Sequence, residues 1–184
     1  MIRVKTYDGA LMSGALPPFL DLGLAVRQEL CLTGTLAVNS MPRLAAALTS
    51  DRGAAEVTLR AEPEIGGRVV LSGTIQARLN MTCQRCLAGV ELEVEASPRL
   101  AWVRSEAEME VLPPEYDPLL SADGRVAVRD LVEDELLLAL PLVPRHTQGA
   151  CRETRPAAVV SAPEHEAEKS KNAFAELAKL KRGR

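Results

Sequence analysis

Two pairs of candidate metal ligands stand out in the sequence. Cys83 and Cys86 are separated by two residues, the spacing of a metal knuckle in which one tight turn supplies two thiolates. His146 and Cys151, further along the chain, would complete a Cys3His set. Such a set predicts one structural zinc ion as a cofactor, because four protein ligands leave no coordination position for a reacting water. The two pairs are distant in sequence, so the fold has to bring them together.

The spacing of the cysteines leaves two other interpretations open. Cys83 fits the inward-facing phase of a predicted strand, so it, Cys86 and Cys151 could be incidental thiols. Alternatively, Cys83 and Cys86 could form a redox pair, although the βαβ pattern around a thioredoxin-type motif is missing. Cys31 lies out of phase with the apolar residues on either side of it, which predicts a half-buried thiol and not a further ligand.

Three acidic residues, Asp130, Glu133 and Asp134, lie close together at the predicted start of a helix. They could hold Mg2+ for phosphodiester cleavage, but metal sites of that kind usually draw their ligands from several elements. Acids in a first turn are favoured by the helix dipole, and Asp130 with Glu133 matches a capping box. We therefore expect helix capping, with Glu133 and Asp134 as a candidate docking site for a basic partner, and no catalytic residues.

Regular alternation of apolar and polar residues predicts the strands that carry the Cys83–Cys86 pair. Apolar or small residues occupy every odd position over 71–83, and the alternation resumes over 90–96. The two runs predict an antiparallel hairpin with both cysteines at its tip. Shorter runs predict further strands at 30–38, 56–60 and 126–128.

Two helices are predicted beside these strands. The first covers 44–48 and follows Ser40, which we expect to be its N-cap, with Pro42 in the first turn. The second begins at Asp130 and stops at Pro141, and its many apolar residues predict that it is mostly buried. Together these elements predict an α+β fold, a mostly antiparallel sheet, open or barrel-like, with a few helices and a C-terminal tail helix.

Composition and charge set the expected domain organisation. The chain has 184 residues, 47% hydrophobic and 26% charged, which is enough for one domain with a tail. We expect an α+β domain at 1–151, a flexible linker at 152–171 and a basic amphipathic helix at 172–184. No apolar run is long enough for a membrane span, and the first residues lack a secretory pattern, which predicts a cytoplasmic protein without a membrane partner.

The predicted C-terminal helix is the basic part of a chain whose formal net charge is −3. Its apolar stripe lies beside cations, a combination that could bind RNA phosphates or a groove on a protein. The candidate contact residues are Phe174, Leu177, Lys179, Leu180, Lys181, Arg182 and Arg184, with Arg85 at the hairpin tip as a further candidate. The alternative for the helix is that it packs on its own domain. The alternative for Arg85 is that it is a surface arginine without a phosphate partner.

Aromatic residues make up only 3% of the chain, which argues against a base-stacking platform for RNA. We expect Trp102 and Tyr116 in the hydrophobic core.

Three stretches of the sequence resemble the YceD family of bacterial large ribosomal RNA subunit accumulation proteins. They are 83–87 at the hairpin tip, 131–141 running into 143–146, and 172–175 through 180–181. The resemblance implies a role in the synthesis, processing or stability of 23S ribosomal RNA, and so in assembly of the large ribosomal subunit. It implies a ribosomal RNA precursor, a large-subunit assembly intermediate or a ribosomal protein as the partner.

No motif in this chain matches a catalytic residue of that family, so we expect a protein that binds its partner without catalysing a reaction. Two alternatives stay open. One is a Mg-dependent RNA-processing enzyme that uses the acidic helix start, and the other is a regulatory adaptor with only protein partners.

Overall fold

The structure is a computed structural model that describes residues 11–64, 67–147 and 151. Its strands are β1 (Leu11–Ala15), β2 (Phe19–Asp21), β3 (Cys31–Ala37), β4 (Ala54–Pro63), β5 (Val69–Thr82), β6 (Gly89–Ala96), β7 (Arg99–Val103), β8 (Asp117–Leu120) and β9 (Arg125–Ala127). Its α-helices are α1 (Leu22–Arg27), α2 (Pro42–Ala47), α3 (Glu106–Glu110) and α4 (Val128–Ala139). The predicted linker at 152–171 and the predicted tail helix at 172–184 lie outside the described residues.

Seven strands form one mostly antiparallel sheet in the order β1-β3-β4-β5-β7-β8, with β6 also paired to β5. β5 is 14 residues long, and its edge opposite β4 pairs first with β7 and then with β6. The β1–β3 and β7–β8 pairings are parallel, and β2 pairs with β9 in a separate small sheet. The predicted α+β class with mostly antiparallel pairing is confirmed, and within the described part of the chain the large sheet is open.

The hydrophobic core lies between one face of the large sheet and three of the helices. Alternate residues of β4 and β5 point into it, for example Val57, Leu59 and Ile75, each 1% exposed or less. α1, α2 and α4 cover this face with apolar residues such as Leu44 and Leu136. Each buried leucine contributes about 1.5–3 kcal/mol of transfer free energy, so the alternation seen in the sequence is what holds the hairpin against the helices.

Gly73 lies at the point where β5 passes from pairing with β7 to pairing with β6. A Cβ atom at this position would overlap the carbonyl oxygen of Thr58 on β4. The close approach of the two backbones therefore requires glycine here.

The N-terminus of α2 differs from the prediction. The helix starts at Pro42 with Met41 as its N-cap, and the Ser40 hydroxyl donates a hydrogen bond to the Ala37 carbonyl at 2.6 Å. The expectation that Ser40 caps this helix was wrong, because its hydroxyl hydrogen-bonds backward along the chain.

α4 begins two residues earlier than predicted, at Val128, and Ala127 is its N-cap. Asp130 and Glu133 therefore lie inside the helix, and the predicted capping box was wrong. The helix ends at Ala139, just before Pro141. Five of its twelve residues are buried, whereas Arg129, Asp134 and Leu138 are exposed, so α4 buries one face and the prediction of a mostly buried helix holds for that face alone.

Both expected core aromatics contact apolar clusters. Tyr116 is buried in a small cluster with Val70 and Ala101, and Trp102 packs against the main core while partly exposed. Among the described helices, none has the length and apolar character needed to cross a membrane.

Candidate metal centre

The tip of the β5–β6 hairpin presents Cys83 and Cys86 on one tight turn. The Cys83 backbone N–H donates to the Ala88 carbonyl at 2.8 Å, and the Leu87 N–H donates back to the Cys83 carbonyl at 2.9 Å. Leu87 has a φ of 59°, the left-handed conformation that reverses the chain toward β6. The turn thus places two thiols, with two residues between them, where the sequence pattern predicted them.

The segment that follows α4 brings the other two candidate ligands to this turn. The Gln84 backbone N–H donates to the carbonyl of buried Pro144 at 2.8 Å, which fixes this segment against the hairpin tip. His146 follows two residues later. The ligand atoms of Cys83, Cys86, His146 and Cys151 then all lie within 4.8 Å of one another. The structure therefore brings together the four residues that the sequence singled out.

The spacing of these atoms suits one tetrahedral ion. Bond lengths of about 2.3 Å to sulfur and about 2.05 Å to nitrogen give tetrahedral edges of about 3.8 Å between sulfurs and about 3.6 Å from sulfur to nitrogen. The Cys83 and Cys151 sulfurs are 3.6 Å apart, and His146 Nδ1 lies 3.5 Å from Cys86 Sγ and 3.6 Å from Cys151 Sγ. The distances match those edges, so the cluster can hold a metal ion.

The orientation of His146 also suits coordination. Its Nε2 lies 3.0 Å from the Gly89 carbonyl oxygen, which can only accept, so Nε2 carries the proton. Nδ1 then presents its lone pair to the cysteine sulfurs. A histidine that binds a metal usually donates its other ring N–H to a carbonyl or carboxylate in this way.

The two thiols of the hairpin turn differ in how readily they ionise. Burial opposes ionisation of Cys83, but backbone N–H groups of Cys86, Arg85 and His146 outweigh it and lower the pKa of this thiol to about 5. For Cys86, the Ala88 N–H favours the thiolate, but burial and the two neighbouring cysteines outweigh it and raise the pKa. One thiolate forms readily and then disfavours the next, and a bound cation removes that repulsion.

Arg85 lies between the two hairpin cysteines and faces the cluster. Its Nε donates a hydrogen bond to Cys151 Sγ at 2.9 Å. That hydrogen bond, followed by the charges of the thiols, raises the pKa of Arg85. Cys31 is half-buried in β3, as predicted, and is not one of the four clustered residues.

Glu133 does not lie on an exposed surface. It is 2% exposed, and its carboxylate accepts the backbone N–H groups of Arg43 and Leu44, at 2.6 and 3.0 Å, at the N-terminus of α2. Arg43 also pairs with Glu133 Oε2 at 3.0 Å and with Asp134 at 2.5 Å. Glu133 is therefore used inside the fold to cap α2, and of the predicted docking pair only Asp134 remains exposed.

The structure also shows contacts at α4 and at the cysteine cluster that the sequence did not predict. Arg43, Pro144 and Gly89 had no sequence pattern linking them to α4 or to the cysteines, since each acts across a long separation. The predicted contact residues of the C-terminal helix lie outside the described residues; they are Phe174, Leu177, Lys179, Leu180, Lys181, Arg182 and Arg184.

Comparison with known proteins identifies the family. A sequence model described as "Large ribosomal RNA subunit accumulation protein YceD" matches residues 71–181. A Haemophilus influenzae protein of the same name is 33% identical over 171 residues, which cover 90% of this chain and 96% of the relative. No solved structure matches the chain. The matched region contains all four clustered residues, and we conclude that this chain belongs to the YceD family.

Proposed function

We propose that this protein promotes the accumulation of 23S ribosomal RNA by binding an immature large ribosomal subunit in the cytoplasm, without catalysing a reaction. The observation that carries the proposal is family membership over most of the chain. The Haemophilus relative, matched over 96% of its length, is named as a large ribosomal RNA subunit accumulation protein. A near full-length match supports the transfer of that role to this chain.

The Cys3His cluster is proposed to hold one structural zinc ion. Three thiolates and an imidazole at tetrahedral spacing are a typical donor set for zinc. The ion would fasten the β5–β6 hairpin to the segment after α4, two parts of the chain that the Gln84–Pro144 hydrogen bond already brings together. All four positions are protein ligands, so the ion's role would be to hold the fold together.

The partner is proposed to be a ribosomal RNA precursor, an assembly intermediate of the large subunit, or a ribosomal protein. The predicted basic helix at 172–184 is the proposed contact, because its cations would release counterions from RNA phosphates on binding. Its binding should therefore weaken steeply as the salt concentration rises. Deletion of 172–184 should leave the domain at 1–151 folded and weaken co-sedimentation with large-subunit precursors.

The contacts that Glu133 makes within the fold argue against a Mg2+ nuclease site in α4. Both Glu133 oxygens are hydrogen-bonded within the fold, to the backbone of α2 and to the Arg43 side chain. A Mg2+ ion recruited by Glu133 and Asp134 would have to displace Arg43 from both carboxylates. Asp134→Asn should accordingly leave 23S accumulation unchanged.

Depletion of the protein in its own host tests the proposed function directly. We expect the ratio of 23S to 16S ribosomal RNA to fall, and expression of the wild-type chain to restore it. Normal 23S levels after depletion would refute the proposal. Elemental analysis of the purified protein under reducing conditions tests the zinc separately, with about one equivalent expected.

A further inference from the structure

Each of the four clustered residues has at least one contact with a group outside the cluster. The backbone N–H groups of Arg85, Cys86 and His146 favour the Cys83 thiolate, and the Ala88 N–H favours that of Cys86. His146 is oriented by the Gly89 carbonyl. The outer contact of Cys151 comes from the Arg85 side chain. Such contacts orient metal ligands and adjust their donor strength.

Cys151 is the ligand that most needs a contact of this kind. Cys83 and Cys86 are fixed by the hairpin turn, and His146 by its carbonyl partner. Cys151 lies outside the helices and strands of the structure. Within the described part of the chain, the Arg85 Nε–H at 2.9 Å is the hydrogen bond that the Cys151 sulfur accepts from outside the cluster.

Arg85 also balances the net charge of the proposed metal site. A divalent ion with three thiolates and a neutral imidazole carries one net negative charge. The guanidinium of Arg85 supplies one positive charge next to the sulfurs, and it cannot be deprotonated in the physiological range. Hydrogen bonds to a thiolate also reduce its basicity and its reactivity toward electrophiles.

We propose that Arg85 is a positioning and charge-balancing residue of the metal centre, which holds Cys151 as the fourth ligand, and that it is not a phosphate contact. One residue then serves two ligands, its backbone N–H at Cys83 and its side chain at Cys151. Lysine would replace it only in part, since an ammonium group supplies the positive charge but has no Nε–H donor within a planar fork. The inference rests on the proposed metal centre.

The test compares full-length, zinc-loaded wild type with Arg85→Gln and Arg85→Lys. Zinc affinity is measured by competition with a colorimetric chelator, and alkylation of each cysteine is followed by mass spectrometry. We expect Arg85→Gln to weaken zinc binding about tenfold or more, the usual effect of losing an outer-shell partner. Alkylation should accelerate selectively at Cys151. Arg85→Lys should recover part of the affinity, because it restores the charge without the Nε–H.

Arg145→Gln is the matched control, because Arg145 is an exposed arginine directly beside the ligand His146. It removes one positive charge from the same region and should leave zinc affinity unchanged. Equal losses in both variants would show a general charge effect and overturn the proposal. So would wild-type zinc affinity in Arg85→Gln together with weaker binding to large-subunit precursors, or the absence of zinc from the wild type. The 23S measurement is independent, so failure of the proposed function and of this inference can be told apart.

Discussion

Replacing Glu133 with alanine should destabilise the protein by about 3–5 kcal/mol, because it removes two charge-assisted hydrogen bonds and leaves the backbone N–H groups of Arg43 and Leu44 without their acceptor. The Glu133 side chain is 2% exposed and accepts two backbone N–H groups at the N-terminus of α2, at 2.6 and 3.0 Å. Each such charge-assisted hydrogen bond contributes about 1.5–3 kcal/mol net, so these two bonds alone account for the lower end of the range. Arg43 adds less, since its side chain is 53% exposed and water screens the pair.

Urea denaturation followed by circular dichroism measures this change, with the zinc content of each variant held equal. Asp134→Asn is the matched control. Asp134 also pairs with Arg43, but its side chain is 55% exposed, and we expect a loss below about 1 kcal/mol. Glu133→Gln should fall between the two, because it keeps an acceptor for the backbone of α2 and loses the charge. A loss in Glu133→Ala no larger than that in Asp134→Asn would refute the argument that Glu133 caps α2.

Three further predictions follow from local geometry. Gly73→Ala should lower the free energy of unfolding by about 1–3 kcal/mol, and with it the urea midpoint, since the added methyl group overlaps the Thr58 carbonyl. An unchanged midpoint would contradict the close approach of the two strands. Glu135→Gln should stabilise the protein at pH 7, because burial and neighbouring carboxylates raise the pKa of Glu135 and penalise its charged form; the gain should shrink as the pH falls toward 4.5, and a pH-independent gain would contradict this cause. Asp21→Ala removes the carboxylate that accepts the Leu24 N–H at 2.7 Å, and should lower the free energy of unfolding by about 1 kcal/mol in thermal or urea unfolding. An unchanged free energy of unfolding would show that this cap does not stabilise α1.

The features that could be predicted from the sequence are those set by local patterns. The 71–83 and 90–96 runs alternate with period two, and the structure confirms them as β5 and β6. The Cys83–Cys86 spacing implies a tight turn, which is the hairpin tip. Such strands are predicted correctly because the apolar face that creates the alternation is also the face that packs on the core.

The features that could not be predicted depend on distant partners. Asp130 and Glu133 imitate a capping box, but the Glu133 carboxylate caps a helix 90 residues earlier in the chain. β2 is three residues long, too short to show a period, and it pairs with β9, the short strand that the sequence predicted at 126–128 and the structure places at Arg125–Ala127. β8 contains Pro118, which argues against a strand from sequence alone, and it lies at the edge of the sheet where proline is tolerated.

Cys151 is the last of the four candidate ligands to be synthesised. Cys83 and Cys151 are 68 residues apart, so during translation the hairpin can pair well before the last ligand leaves the exit tunnel. The proposed zinc ion, by bridging them, would close a loop of this length. By the chain-entropy relation for cross-links, a loop of that size restricts the unfolded chain by about 4 kcal/mol. Nascent chains would therefore gain this protection only after Cys151 has left the exit tunnel.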